Sequence, residues 1–220
     1  MTSSRETVLN RIRASLKDVP PSEKPEDVVV DRGYLHVDES PERERLERFI
    51  ERVREYKAIV RIARPDGLTE AIAESCAARG VKRLAVPADL PDGWAPPGVE
   101  LVREPGLSNE QLDGCDGVLT AAALGIAQTG TVVLDSGPGQ GRRAITLIPD
   151  YHLCVVFQDQ VVGLIPEAVV KLQRAAESPD RPITFISGPS ATSDIELNRV
   201  EGVHGPRTLE VVVVTELDVK

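Results

Sequence analysis

Residues 58–86 read AIVRIARPDGLTEAIAESCAARGVKRLAV, and this stretch decides the fold class. Its first five residues, 58–62, are mostly apolar and predict a strand. Residues 68–79 predict a helix that ends at Gly80, because glycine commonly closes a helix in a left-handed conformation. Residues 83–86 predict a second strand. A strand, a helix and a strand in this order, with mostly apolar rather than alternating strands, indicate a mostly parallel sheet covered by helices.

The alternation continues along the chain, with one interruption. Two apolar segments, 125–134 and 152–157, predict strands separated by a glycine-rich loop and a short apolar stretch. This connection has no obvious crossover helix, so local antiparallel pairing is expected. The fold class is therefore α/β, a mostly parallel sheet flanked by helices with an antiparallel portion. Further strands are predicted at 99–102, 117–120, 183–186 and 209–214, and further helices at 108–112, 166–176 and 194–200.

The N-terminal part of the chain has a different character. Residues 4–17 carry apolar side chains at helical spacing, and 18–40 are rich in proline and aspartate, which indicates an extended connection. A second helix is expected from Ser40-Pro41, with the proline in its first turn. The sequence thus predicts two parts, an N-terminal helical appendage with a proline-rich linker at 1–57 and an α/β domain at 58–220.

Composition excludes several classes of protein. The net charge is -9 and aromatic residues make up 3% of the chain, which disfavours binding of nucleic acid. No apolar run reaches the roughly 18 residues of a membrane span, and the first residues lack the apolar core of a secretory signal, so a cytoplasmic protein is expected. Cys76, Cys115 and Cys154 are scattered without C-x-x-C spacing, which predicts buried structural thiols rather than a metal cassette.

The densest group of turn residues, hydroxyls and carboxylates lies at 183–196, ITFISGPSATSDIE. It predicts a strand, a tight turn and a capped helix start at the carboxyl edge of a sheet. In one interpretation, Gly188, Ser190 and Thr192 present amides and hydroxyls to an anion at the positive end of the helix. In the other, Ser193 and Glu196 form a capping box that merely closes the helix.

A histidine follows this segment, in Gly202-Val-His-Gly-Pro206. His204 can act near neutral pH as an acid, a base or a hydrogen-bond donor, or can simply cap the carbonyl groups at the end of the helix. Asp194 is the freer of the two carboxylates if Glu196 is a cap. His204 and Asp194 are therefore the candidate catalytic residues, and a metal site is not expected.

Two more segments are candidates for ligand binding. In Gln128-Thr-Gly-Thr131, hydroxyls flank a glycine within a strand-like run, which indicates either a close approach of a ligand or a strand kink. The loop 136–143 is either a phosphate-binding loop, with Arg142 or Arg143 on the phosphate, or a surface loop. Asp150 and His152 are two residues apart at a strand start and are expected on one face.

Four motifs in order, 125–134, 148–152, 185–196 and 202–206, resemble the lactate-utilisation (LUD-domain) family, in particular its YkgG-like group. The resemblance implies a NagB/RpiA/CoA-transferase-like fold and a role in the oxidation of L-lactate to pyruvate. It also implies iron–sulfur partner subunits, with no cofactor in this chain and a small carboxylate or other anion as the ligand. The candidate ligand-binding residues are Thr129, Gly130, Thr131, Gly188, Pro189, Ser190, Thr192, Arg142 and Arg143.

This sequence departs from the family pattern at two positions. Gln128 stands where the family often has an acidic residue, and a carboxamide cannot act as a nucleophile or general base. Ala191 stands where the family often has a cation, which weakens anion binding. Three functions remain open: an accessory or ligand-binding component of lactate utilisation, a stand-alone CoA-transferase-like or phosphosugar-isomerase-like enzyme, and a non-catalytic regulatory module.

Overall fold

The computed structural model describes residues 3–20, 22–24, 27, 29–31, 33–177, 181–192, 200–202 and 204–219. The chain forms two compact units, Met1–Tyr34 and Leu35–Lys220. The first contains helix α1, Ser4–Ser15, which begins with a reciprocal capping box between Ser3 and Glu6. This helix buries none of its residues.

The second unit is built on a six-stranded sheet in which every pair of neighbours is parallel. Its strands are β1 Ile59–Ala63, β2 Arg83–Val86, β3 Glu100–Arg103, β4 Gly117–Ala121, β7 Tyr151–Phe157 and β12 Thr208–Val214. The strand order is β1-β12-β7-β4-β2-β3. This arrangement confirms the predicted α/β class with a mostly parallel sheet.

Helix α3, Leu68–Arg79, covers one face of this sheet and ends as predicted at Gly80, whose φ of 66° is left-handed. Its apolar side chains pack with alternate residues of β2, β7 and β12, among them Leu84 and Val212. Helix α2, Glu42–Glu55, covers the opposite face, where its buried Phe49 packs with residues such as Val211. The two helices give the sheet a separate apolar core on each side.

A smaller sheet of four strands carries the antiparallel portion of the fold. The four strands are β5 Leu124–Ile126, β6 Thr131–Leu134, β8 Val161–Val162 and β9 Thr184–Ile186, in the order β8-β5-β6-β9. The expectation of one strand over 125–134 is wrong, because this segment forms a hairpin of two strands, β5 and β6, turned at Gly130 with a φ of 59°.

The expected antiparallel pairing of 125–134 with 152–157 is also wrong. After β4, the hairpin and the loop that follows it carry the chain back to the end of the sheet at which β4 begins. The next strand, β7, therefore pairs parallel with β4 as its neighbour in the large sheet. The antiparallel pairs are instead β5 with β6 and β6 with β9. Two further helices complete the α elements described in this unit, α4 Asn109–Asp113 and α5 Ile165–Ala176.

Part of the predicted helix at 194–200 lies outside the described residues, together with Ser193, Asp194 and Glu196. On either side of that gap the chain is extended, since β10, Ala191–Thr192, pairs antiparallel with β11, Val200–Glu201. Val200 is therefore in a strand rather than at the end of a helix.

Cys76, Cys115 and Cys154 are buried free thiols, as the sequence predicts. Each is in a different apolar cluster of the fold. Within the described part of the chain, each helix is too short or too polar to cross a membrane.

Candidate functional site

A pocket of about 220 Å³ opens where the small sheet meets the large one. It lies after the carboxyl end of β9 and beside the amino ends of β7 and β12, whose second residues, His152 and Leu209, are in its wall. This volume is below the roughly 300 Å³ at which pockets for drug-sized ligands begin, so the space suits a small molecule. The described wall consists of 184–190, 204–206, Arg143, Thr146, His152 and Leu209.

The sequence places the glycine turn at the carboxyl edge of a sheet, and the structure shows which sheet that is. The strand that precedes the glycine turn is β9, and it pairs antiparallel with β6 in the small sheet instead of joining the large one. The turn after β9 therefore faces the amino ends of two parallel strands. Sequence reasoning missed this because nothing in the apolar pattern of 183–186 says which sheet the strand joins.

Ser190 connects the glycine turn to the histidine segment by three hydrogen bonds. Its amide donates to the Pro206 carbonyl (2.9 Å), and its carbonyl accepts from the Gly202 amide (2.8 Å). Its Oγ accepts from the His204 amide at 2.7 Å. These bonds bring Gly188, Pro189, Ser190 and His204 together in one wall of the pocket. They also occupy the Ser190 amide, so that amide does not serve an anion.

Arg143 supplies the positive charge of the pocket. One guanidinium nitrogen, Nη1, donates to the carbonyl and to the Oγ1 of Thr146, both at 2.9 Å. No described carboxylate forms a salt bridge with Arg143, which leaves its other N–H donors for a ligand. Burial lowers the pKa of Arg143 below its ordinary value, yet a guanidinium keeps its charge in proteins.

His152 is a residue of the pocket wall that the sequence did not mark as a candidate site residue. The sequence predicts it on one face with Asp150, but Asp150 is exposed and pairs with Arg207 at 2.9 Å, whereas His152 is 1% exposed. Its Nε2 lies 2.8 Å from Oγ1 of Thr120 on β4. Burial, with a contribution from the charge of Arg143, lowers the pKa of His152 to about 3. A histidine within the apolar run YHLCVVF was the signal for a buried imidazole.

The glycine-rich loop directs its two arginines to different places. Arg142 turns away from the pocket and donates through Nε to Oε1 of the buried Glu104 at 2.9 Å. The amides of Gly137 and Gly139 are bound by carboxylates of this chain, at 3.0 and 2.9 Å. The loop is thus closed by internal hydrogen bonds, and Arg143 is the arginine of this pair that reaches the pocket.

Thr129, Gly130 and Thr131 lie behind the pocket rather than in its wall. The hydroxyls of Thr129 and Thr131 are 2.7 Å apart, and Thr131 Oγ1 is 2.8 Å from Oγ of Ser187, which is in the wall. Gln128 and Thr129 line a separate groove with residues of α2. The side chain of Thr192 and all of Asp194 lie outside the described residues.

The described wall contains Arg143 and His204 but no carboxylate. Its charge therefore suits an anion. The guanidinium offers a planar set of donors that matches a carboxylate, and such charge-assisted hydrogen bonds are the strong ones.

Comparison with known proteins relates the chain to one family. The LUD-domain model matches residues 107–214. The chain is similar to lactate utilization protein C of Deinococcus radiodurans, with 47% identity over 170 residues, 77% of this chain and 79% of that protein. It is also similar to the uncharacterized protein YkgG of Escherichia coli, with 39% identity over 88 residues, 39% of this chain and 38% of that one. The crystal structure of a DUF162 family protein from Deinococcus radiodurans aligns with a TM-score of 0.70 and 39% identity, over 80% of this chain and 99% of that chain.

Proposed function

The chain belongs to the LUD-domain family, in the group of lactate utilization protein C and YkgG, and we propose that it is the small-carboxylate-binding subunit of an L-lactate-utilising system. The names of the relatives and the chemistry of the pocket both support this role. L-lactate and pyruvate are both small carboxylates, so either fits the size and charge of that space.

One observation carries the proposal, the Arg143 guanidinium in the pocket wall without a described carboxylate partner. A partly buried cation of this kind gains free energy from an anionic ligand. A hydrogen bond to a charged group contributes roughly 1.5–3 kcal/mol, so loss of Arg143 should weaken binding about 10- to 150-fold.

The proposal assigns the oxidation itself to iron–sulfur partner proteins. Conversion of L-lactate to pyruvate releases two electrons and two protons, and clusters in the partners would accept the electrons. The thiols of this chain support that assignment, because Cys76, Cys115 and Cys154 are buried in three different apolar clusters and so do not share one site. Burial also raises the pKa of each thiol, which disfavours the thiolate that a metal requires.

The test is isothermal titration of the purified full chain with L-lactate and with pyruvate. Arg143→Gln should weaken binding of both by at least about tenfold. Arg142→Gln, the neighbouring substitution on an arginine that faces Glu104, should retain the wild-type affinity. Equal affinities of wild type and Arg143→Gln would show that the pocket is not the carboxylate site.

The role in the cell is tested separately, by deletion of the gene in its own host. The deletion strain should lose growth on L-lactate, and the wild-type gene should restore it. The Arg143→Gln gene should restore growth poorly. Normal growth of the deletion strain, in a background without another lactate dehydrogenase, would contradict the proposal.

A further inference from the structure

The buried imidazole of His152 has one nitrogen held by the protein and one without a described partner. Nε2 is 2.8 Å from Thr120 Oγ1, whereas Nδ1 has no hydrogen bond to any described residue. The side chain is 1% exposed and forms part of the pocket wall. A buried polar group without a partner lowers the stability of the fold by roughly 1–3 kcal/mol. A ligand atom in the pocket that forms a hydrogen bond with Nδ1 would offset this cost.

The neighbours of Thr120 favour one tautomer of His152. The threonine hydroxyl has one proton and two neighbouring acceptors, His152 Nε2 at 2.8 Å and Cys154 Sγ at 3.7 Å. The imidazole nitrogen is the closer and the stronger acceptor, because sulfur accepts weakly. Assigned from this network, Thr120 donates to Nε2 and the ring proton is on Nδ1. Nδ1, the ring nitrogen without a described partner, is then a hydrogen-bond donor.

The pocket therefore presents two donors of unlike charge. Arg143 is a cation, and His152 is a neutral N–H donor, since its pKa of about 3 keeps the ring uncharged at physiological pH. Both groups are in the wall of the same pocket. A second cation would favour a dianion such as phosphate, whereas a neutral donor suits an uncharged oxygen.

On the proposed function that Arg143 binds a carboxylate, we infer that His152 is the specificity-determining residue of the pocket. Its Nδ1–H donates to the oxygen on the carbon next to the carboxylate, and Thr120 is the positioning residue that holds the tautomer. The ligand class is thus narrower than small carboxylates. The pocket selects 2-hydroxy and 2-oxo carboxylates and discriminates against carboxylates that lack the 2-oxygen.

The first test compares L-lactate with propanoate, which differs by the absence of the 2-hydroxyl. Isothermal titration of the wild-type protein should give about tenfold tighter binding of L-lactate, because propanoate leaves the buried Nδ1–H without a partner. His152→Leu should bring the two affinities together by weakening L-lactate alone. His152→Asn keeps an N–H donor near the position of Nδ1 and should retain most of the preference.

Thr120 is tested by the pair Thr120→Val and Thr120→Ser. The valine removes the donor to Nε2 and should reduce the preference for L-lactate, whereas the serine keeps the hydroxyl and should preserve it. A merely structural role for either residue predicts equal loss of affinity for both ligands. Arg83→Gln, on an exposed arginine that pairs with Glu100, is the control and should change neither affinity.

A measurement on the wild-type protein avoids any variant that fails to fold. Nitrogen NMR of the histidine rings should find His152 protonated at Nδ1, and addition of L-lactate, but not of propanoate, should shift that resonance. A ring protonated at Nε2, or equal wild-type affinities for the two acids, would overturn the inference while Arg143 keeps its role. Absence of binding of either acid to the wild-type chain would overturn the proposed function itself.

Discussion

Thr131 Oγ1 lies 2.8 Å from Ser187 Oγ, a contact between residues 56 positions apart in the sequence. The same hydroxyl is 2.7 Å from Thr129 Oγ1, so three hydroxyls form a continuous series from the turn of the β5–β6 hairpin to the pocket wall. Thr131 is buried at the centre of this series. Two segments that the sequence offered as separate candidate sites are therefore parts of one support.

Removal of the central hydroxyl should loosen this support. Thr131→Val breaks both contacts, and we expect it to lower the free energy of unfolding by about 1–2 kcal/mol, measured by urea denaturation. Thr131→Ser retains the hydroxyl and should cost less. If the valine and serine variants unfold at the same urea concentration, the hydroxyl series contributes nothing to stability.

The parts of the fold that the sequence predicts well are those with local causes. Residues 68–79 are a helix because of their own side chains, and Gly80 ends it because glycine accepts the left-handed conformation at no steric cost. The hairpin at 125–134 was missed for the opposite reason. Its apolar residues continue through the turn, and the reversal depends on Gly130 packing against the backbone of Arg52 in α2, a contact far away in sequence.

The sequence predicts only those parts of the candidate site that also have local causes. The sequence identified Gly188, Ser190, His204 and Arg143, each from local turn or loop chemistry, and these residues do meet in one pocket. It could not separate Arg143 from Arg142, because the choice depends on a buried carboxylate that follows β3, far away in the sequence. It also did not identify the role of the buried histidine at the start of β7, which follows from its position between two neighbouring strands of the sheet.

Two glycines of the candidate site pack directly on α2 and the residue that follows it, and they should not tolerate alanine. A Cβ at Gly130 would lie 2.5 Å from the Arg52 backbone carbon, and one at Gly188 would lie 2.6 Å from Tyr56 Cβ. Both also have positive φ angles, of 59° and 84°. We expect either substitution to cost more than about 2 kcal/mol in unfolding experiments, because a backbone shift adds to the strain of φ.

Gly98 is the matched control for those two positions. Its φ is 78°, but nothing lies within 4 Å of a Cβ placed there. Gly98→Ala should therefore show the cost of the left-handed conformation alone, about 1 kcal/mol. Equal destabilisation at all three glycines would show that close packing on α2 is not important.

Arg142 should stabilise the protein rather than bind the ligand. Its partner Glu104 has a side chain 6% exposed, and Arg142→Gln would leave that carboxylate without its cation. We expect a loss of about 1–3 kcal/mol in the free energy of unfolding. Glu104→Gln in the same chain should recover part of the loss, since no unpaired charge remains. A double variant no more stable than Arg142→Gln would argue against the pair.

The buried imidazole predicts a specific dependence of stability on pH. The pKa of His152 falls from the ordinary 6.5 to about 3 in the folded protein, so between these values the unfolded chain binds a proton that the folded chain does not. Stability contributed by the neutral ring is thus complete above pH 6.5. It is lost as the pH falls towards the folded-state value, by up to roughly 1.4 kcal/mol per pH unit.

Urea denaturation of the wild type and His152→Asn between about pH 7 and pH 4 measures this contribution. The wild type should lose stability faster on acidification, because an asparagine side chain has no proton to bind in this range. Parallel curves for wild type and His152→Asn would mean that the ring is not held neutral.

Helix α2 should be required for the α/β unit to fold, although it precedes the first strand. Its buried Leu46, Phe49, Ile50 and Val53 pack on one face of the large sheet, and its C-terminal end contacts both glycines of the candidate site. A chain of residues 35–220 keeps this helix and should unfold in one cooperative transition. A chain of residues 58–220 exposes the apolar face and should aggregate or unfold without cooperativity, because that surface is left to water.

Phe49→Ala in the full chain tests the same contact without truncation. We expect it to lower the free energy of unfolding by about 3–5 kcal/mol. Cooperative unfolding of 58–220 with carboxylate binding intact would instead make α2 an independent appendage.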